Sequence, residues 1–252
     1  MATAVMNIKP GWRATVTADR NDSIILTLPS GATQLQRFEQ REIFALRIDS
    51  DGGVWVRLDS VTLGSGEPSA DAPIGAVWRG RLDDLRASGL HLASGGAAAE
   101  RYSAVVRRLL PQLPADGVSA RLSWRDSASA KLAVDVFSGE ERRSEQWSSG
   151  AVIGNDGGEL PVKVSEKYEQ YGEGETSGHP MTMTAQGRRS GTYYVTMDGT
   201  IRRASLGDSA AVLISVRDSR QLIPTMRYSS TAISFESPSS SEAAAAQPIK
   251  RQ

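Results

Sequence analysis

Apolar and polar side chains alternate with a period of two through most of this chain, and that rhythm leaves little room for anything but antiparallel sheet. Trp12 to Ala18 sets Ala14 and Val16 on one face against Arg13, Thr15 and Thr17 on the other, as a strand between a core and water requires. Ser23 to Leu28 repeats the pattern. Between Glu42 and Leu63, two β-prone runs flank Asp51-Gly52-Gly53, and an Asp-Gly pair readily adopts a tight hairpin turn. A second hairpin joins Trp147–Ile153 to Leu160–Tyr171 through Asn155-Asp156-Gly157-Gly158, and a third joins Thr192–Met197 to Ile201–Leu206 through Asp198-Gly199. Ala210–Val216 and Thr225–Phe235 follow as closing strands, linked through Asp218 and Ser219. The expected fold is mainly β, a curved antiparallel meander sheet or half-barrel.

One segment breaks the rhythm. Tyr102, Val105, Val106, Leu109 and Leu110 recur at the spacing of a single helical stripe, which predicts one amphipathic helix packed on the sheet and ended by Pro111. Arg107 and Arg108 lie off the stripe near its C-terminus, where cations are favoured. Gly64 to Pro73 and Gly172 to Gly178 read as exposed loops. Residues 1–236 read as one β-rich domain with a candidate sub-boundary near 111–120, and 237–252 as a low-complexity mobile tail of serines and alanines. Trp12 and Trp124 each lead a strand and a hairpin, a match too loose to count as a repeat.

Composition narrows the chemistry. The chain has 252 residues, 29 basic and 29 acidic side chains and no cysteine. Balanced charge gives no field that would draw nucleic acid, so no nucleic-acid partner is expected. Without cysteine there are no disulfides, thiolate nucleophiles or cysteine-held metals. The longest uncharged apolar stretch, Ser209 to Val216, falls far short of the ~20 residues of a membrane-spanning helix. Of the 29 basic residues only five are lysines, and guanidinium groups suit contacts with protein partners.

Catalytic signatures are missing. There is no Gly-x-Ser-x-Gly elbow and no phosphate-binding Gly-x4-Gly-Lys loop. Gly172, Gly174 and Gly178 are spaced one residue too long for a dinucleotide fingerprint. Only two histidines occur. His91, between Leu90 and Leu92, reads as the solvent face of a short strand, and His179, near Glu173 and Glu175, as part of a solvated acidic loop. Asp83-Asp84 and Glu140-Glu141 read as surface charges, because adjacent acids on a strand point in opposite directions. Arg202-Arg203-Ala204-Ser205-Leu206 matches a basophilic kinase substrate pattern, yet it falls on a hairpin strand whose backbone is paired. Trp12, Trp55, Trp78, Trp124 and Trp147 read mostly as core or sheet packing. No catalytic, cofactor-binding or metal-binding residue is assigned, and no enzyme activity is expected.

Leu109-Leu110-Pro111-Gln112-Leu113-Pro114, with Val118 and Ser123-Trp124, resembles a motif of β-rich bacterial envelope proteins of unknown function. Gly191-Thr192-Tyr193-Tyr194-Val195 with Asp198-Gly199 and Ile201 is similar to the late hairpin of that family. The chain is also similar in character to membrane-extrinsic accessory subunits that brace bacterial photosynthetic reaction centres against their antenna. The resemblance implies a non-enzymatic scaffold whose partners are subunits of a membrane protein complex, with peripheral membrane contact and no transmembrane helix. It implies a membrane-peripheral, periplasmic location, whereas Met1 to Gly11, taken literally as a start without an apolar leader, gives a cytoplasmic one. The alternative is a carrier that holds an apolar ligand such as a lipid between the sheet and the helix.

Overall fold

The computed structural model describes residues 5–28, 30–84, 89–134, 136–154, 158–219 and 221–237. The segment read as a tail therefore lies outside the described residues, apart from Ser237. Eleven strands are present: β1 (Arg13–Thr27), β2 (Thr33–Ile48), β3 (Gly53–Leu63), β4 (Val77–Arg81), β5 (His91–Ser94), β6 (Ser123–Val134), β7 (Phe137–Ser149), β8 (Glu159–Thr176), β9 (His179–Thr196), β10 (Ile201–Val216) and β11 (Gln221–Glu236). They form one antiparallel sheet in the order β5-β4-β3-β2-β1-β11-β10-β9-β8-β7-β6. Two meanders, β1 to β5 and β6 to β11, are joined where the first strand pairs with the last, from Thr15 opposite Glu236 to Leu26 opposite Thr225.

The sheet does not close on itself. Its edges are β5 and β6, and the segment between them in the chain carries α1 (Ala97–Val106), the one α-helix among the described residues, which touches both edge strands. Arg107, the C-cap of α1, donates from Nε to the Leu90 carbonyl and from Nη1 to the Lys131 carbonyl, each at 3.5 Å. One guanidinium thus ties the helix end to both margins of the sheet.

The core lies on the inner face, where strands contribute alternate residues. Val16, Phe44, Val56, Trp78, Leu160 and Val195 are buried there. The turn after α1 adds Leu109 and Leu110, both buried against the same cluster. Two buried aromatic donors are satisfied within it. Trp78 Nε1 donates to Ser103 Oγ on the helix at 2.8 Å, and the Tyr193 hydroxyl donates to the Arg108 carbonyl at 2.8 Å. Trp124 and Trp147 stack with centroids 5.9 Å apart. A second, smaller cluster of Leu132, Phe137, Tyr168, Met183, Ala185 and Val212 occupies the opposite end of the same face.

The sequence-derived turns stand where expected at 49–52 and 197–200, and the described parts of 150–158 connect β7 to β8. Asn155 to Gly157 lie outside the described residues. Three expectations are corrected. The helix begins at Ala97, directly after Gly95-Gly96, but ends at Val106 rather than at Leu110; Pro111 has no N–H for the Arg107 carbonyl, and Arg108 and Leu109 bond three residues back instead. Ile201–Leu206 and Ala210–Val216 are one strand, with Gly207-Asp208-Ser209 paired across it. Gly172 to Gly178 is not a loop: β8 runs to Thr176, and the turn is Ser177-Gly178. Gly174 serves close approach, since a Cβ there would lie 2.5 Å from the Val136 carbonyl oxygen, whereas Gly178 supplies a positive φ in the turn.

Candidate interaction surface

Polar chemistry is concentrated first in a buried layer between the two apolar clusters. On β8 the inward residues change from Leu160, Val162 and Val164 to Glu166, Tyr168 and Gln170. Arg189, directly opposite Glu166 on β9 and opposite Asp208 on β10, meets three carboxylates. Its nitrogens lie 2.7 Å from Glu141, 2.6 Å from Glu166 and 3.0 Å from Asp208, with its side chain 10% exposed. The Tyr168 ring lies 3.9 Å beneath the guanidinium carbon, and its hydroxyl donates to Asp208 at 2.7 Å. Gly187 makes room for that ring, because a Cβ there would come within 2.2 Å of it. Gln170 completes the group by donating to Glu141 at 2.6 Å.

Burial opposes ionisation of Glu141, but hydrogen bonds and charge from Arg189 override it and hold the carboxyl down to about 2. The charge on Arg189 is likewise opposed by burial and secured by the Glu141 hydrogen bonds and by Glu141, Glu166 and Asp208. With its donors taken on three sides, this cluster is a staple across β7 to β10. A second buried acid behaves differently. Glu42 is fully buried; it receives the Gln40 amide at 2.8 Å and has Arg20 at 3.5 Å. Burial, only partly offset by Arg20, pushes its pKa up to about 7.

The residues singled out in the sequence do not converge. His91 is exposed on β5. His179 stands at the β8–β9 tip, its Nδ1 3.3 Å from Asp218 Oδ2, while Glu173 is engaged by Tyr171 at 2.7 Å and Arg217 at 3.0 Å. Among the described residues no three His, Asp or Glu side chains are grouped to hold a metal ion. Asp83 is exposed and bonded by Arg81. Glu140 is exposed, but Glu141 is not the surface charge that was expected: it faces inward onto Arg189, because alternation on β7 turns odd-numbered residues to the inside. Arg202 to Leu206 is paired on β10. Trp12, Trp78 and Trp147 are core residues, and Trp124 is partly buried against them. Trp55 lies between Arg47 and Arg57, at 5.4 and 5.5 Å.

The outer face holds what the sequence reading overlooked. Ser23–Leu28 of the β1 end, Thr33–Gln36 of β2, Ser209–Val216 of β10 and Gln221–Met226 of β11 contain no charged side chain. The register brings them together: Ala211 faces Met226, Met226 faces Ile25, Ile25 faces Leu35, and Leu213 faces Pro224. On this outer face Leu35, Leu213, Leu222, Met226 and Tyr228 are between 39% and 56% exposed. A contiguous exposed apolar patch is the feature of a folded surface that most often accompanies an interaction site. Its signal in the sequence was Ser209–Val216, which is informative only beside its neighbours in the sheet.

One row further along the strands the surface turns cationic. Lys167 and Arg188 are directly opposite each other, and neither has a carboxylate partner among the described residues. A groove of about 740 Å³ spans the change, with Arg142, Lys167 and Arg188 at one end and Ala211 and Met226 at the other. Glu169 and Tyr228 also line it. A neighbouring groove of about 830 Å³ has a floor of small hydroxyl residues, among them Ser165, Ser190 and Ser230.

No family model matches the chain, and no curated protein matches it. Among solved structures it is similar to OmpTdeltaL8, a loop L8 deletion mutant of OmpT, an outer membrane protein of Vibrio cholerae. The match covers 88% of this chain and 99% of that one at 7% identity, with a TM-score of 0.21. A likeness that weak carries no functional argument. No helix among the described residues is long and apolar enough to cross a membrane.

Proposed function

We propose that this protein is a non-enzymatic interaction module, extrinsic to the membrane, that docks on a membrane-bound assembly through the outer face of β10, β11, β1 and β2. The observation that carries this reading is the uncharged patch of Leu35, Leu213, Leu222, Met226 and Tyr228, exposed although apolar. Burying it against a partner would return roughly 25 cal/mol for each Å² removed from water. Its backbone needs no partner, since β10, β11 and β1 are hydrogen-bonded on both sides, so side chains alone form the contact. The space between sheet and helix favours the same reading over a ligand carrier, because Trp78, Val106 and Leu109 fill it. An accessory subunit bracing a reaction centre and its antenna is one form such a module takes.

The test is isolation of the chain from its native cells in mild detergent, with mass spectrometry of what comes with it. Integral membrane subunits in fixed stoichiometry with the wild type, lost in a Leu213→Ser, Leu222→Ser variant that still folds, are the expected result. A chain that comes alone in both cases refutes the proposal.

A further inference from the structure

The groove at the border of the uncharged patch is itself amphipathic. At one end stand three cationic side chains, Arg142, Lys167 and Arg188, against one acid, Glu169; at the other are Ala211 and Met226, continuing into Leu213 and Leu222 on the open surface. Arg142 is paired with Glu140 at 3.2 Å, but Lys167 and Arg188 have no ion-pair partner among the described residues. Like charges directly opposite on adjacent strands destabilise a sheet. Among the described residues only one acid, Glu169, two residues along β8, shares the groove with this pair, an arrangement suited to an added anion.

From the continuity of charge and apolar surface in one groove of about 740 Å³, we infer that this face binds an anionic phospholipid of the membrane surface. The phosphate lies between Lys167 and Arg188, and the upper acyl chain runs over Met226 toward Leu213. This rests on reading the same face as the docking surface, and it names the chemistry that the face meets. The Tyr228 ring, half exposed beside the cations, takes the headgroup level, where amphipathic rings are favoured. Contact is face-on. The Arg217–Glu173 ion pair and the His179–Asp218 hydrogen bond at the hairpin tips stay at the rim in water, as polar groups must when a protein lies on a bilayer without crossing it. A protein partner could also cover Leu213 and Leu222, but a single pocket graded from cation to aliphatic side chain fits an amphiphile with an anionic head.

The experiment is co-sedimentation of the full chain with vesicles of pure phosphatidylcholine and with vesicles containing 30% phosphatidylglycerol. Lys167→Gln with Arg188→Gln is compared with a control, Arg79→Gln, which removes an exposed cation of β4 distant from the groove. Binding to the anionic vesicles only, weakened about thirty-fold by the double variant and little by the control, is expected for two cations near a charged surface. Equal binding to both vesicle types, or equal loss in the control, overturns the inference. If vesicles do not bind at all while membrane subunits still co-purify, the lipid inference fails and the docking proposal stands. If neither occurs, both fail.

Discussion

Replacing Arg189 with methionine would leave Glu141, Glu166 and Asp208 buried without the cation that lies within 3.0 Å of each of them. Removing one partner from a buried ion pair costs about 3–5 kcal/mol, because the remaining charge stays desolvated. In a chain of this size that is a fall of about 6–20 °C in the midpoint of thermal unfolding. The pH dependence gives a sharper test than the size. In the wild type, Glu141 titrates at about 2 against an ordinary 4.5. The depressed value contributes stability that is present above pH 4.5 and lost as pH falls toward 2, about 3 kcal/mol in all. Without Arg189 the burial of these acids dominates, their folded-state pKa values rise, and the variant gains stability as pH falls from 7 toward 5. Urea unfolding followed by tryptophan fluorescence at pH 7, 5 and 3.5 measures both slopes. A variant that loses less than about 1 kcal/mol at pH 7, or whose deficit relative to the wild type does not shrink as pH falls from 7 to 3.5, would refute the account of Arg189 as the counter-charge of a desolvated cluster.

Glu42 gives the opposite sign in the wild type. Its pKa is raised to about 7 by burial, so the folded state holds the proton more tightly, and stability falls by about 3 kcal/mol as pH rises from 4.5 to 7. Glu42→Gln is expected to abolish that decline and to be the more stable protein at pH 8; equal urea midpoints at pH 8 would sink the idea. Ser103→Ala leaves the buried Trp78 Nε1 without its acceptor at 2.8 Å and should cost about 1–3 kcal/mol, read as a shifted urea midpoint. Gly187→Ala drives a methyl into the Tyr168 ring and should cost about 1–3 kcal/mol by overpacking, whereas Gly207→Ala, with only Ser190 Oγ nearby at 3.8 Å, should be mild; equal costs would show that the ring moves aside freely.

The hairpins were legible because the turns carry their own chemistry, but the strand order was not, since no turn announces the pairing of β1 with β11. Asp51-Gly52 and Asp198-Gly199 mark hairpins whatever lies around them, and once hairpins follow one another the meander is nearly forced. The inner face was harder to read. On β7 the run Glu141, Arg143, Glu145 and Trp147 all point inward, and a sequence that is polar on both faces gives period-two analysis no way to choose the buried one. Only the cross-strand partners, Arg189 above all, reveal that acids lie inside. The same holds for the docking face: Ile25, Leu35, Leu213 and Met226 are scattered over more than half of the chain and become a patch through register alone. Gly207-Asp208-Ser209 looked like a turn by residue type, and pairing with strands on both sides overrode that preference.

The union of β1 with β11 in the middle of the sheet bears on how the protein is made. At ~5–20 residues per second, the ribosome finishes β11 on the order of 10–40 s after β1. Through that interval the five strands of the first meander can pair among themselves, but the outer edge of β1, with Ile24 to Leu26 at its end, has no neighbour from its own chain. An unpaired apolar edge is a template for the wrong strand, and in a cell translating many copies the nearest candidate is the same edge on another nascent chain. The arrangement that pairs the first strand with the last in the finished molecule thus leaves β1 open to a wrong neighbour until β11 arrives.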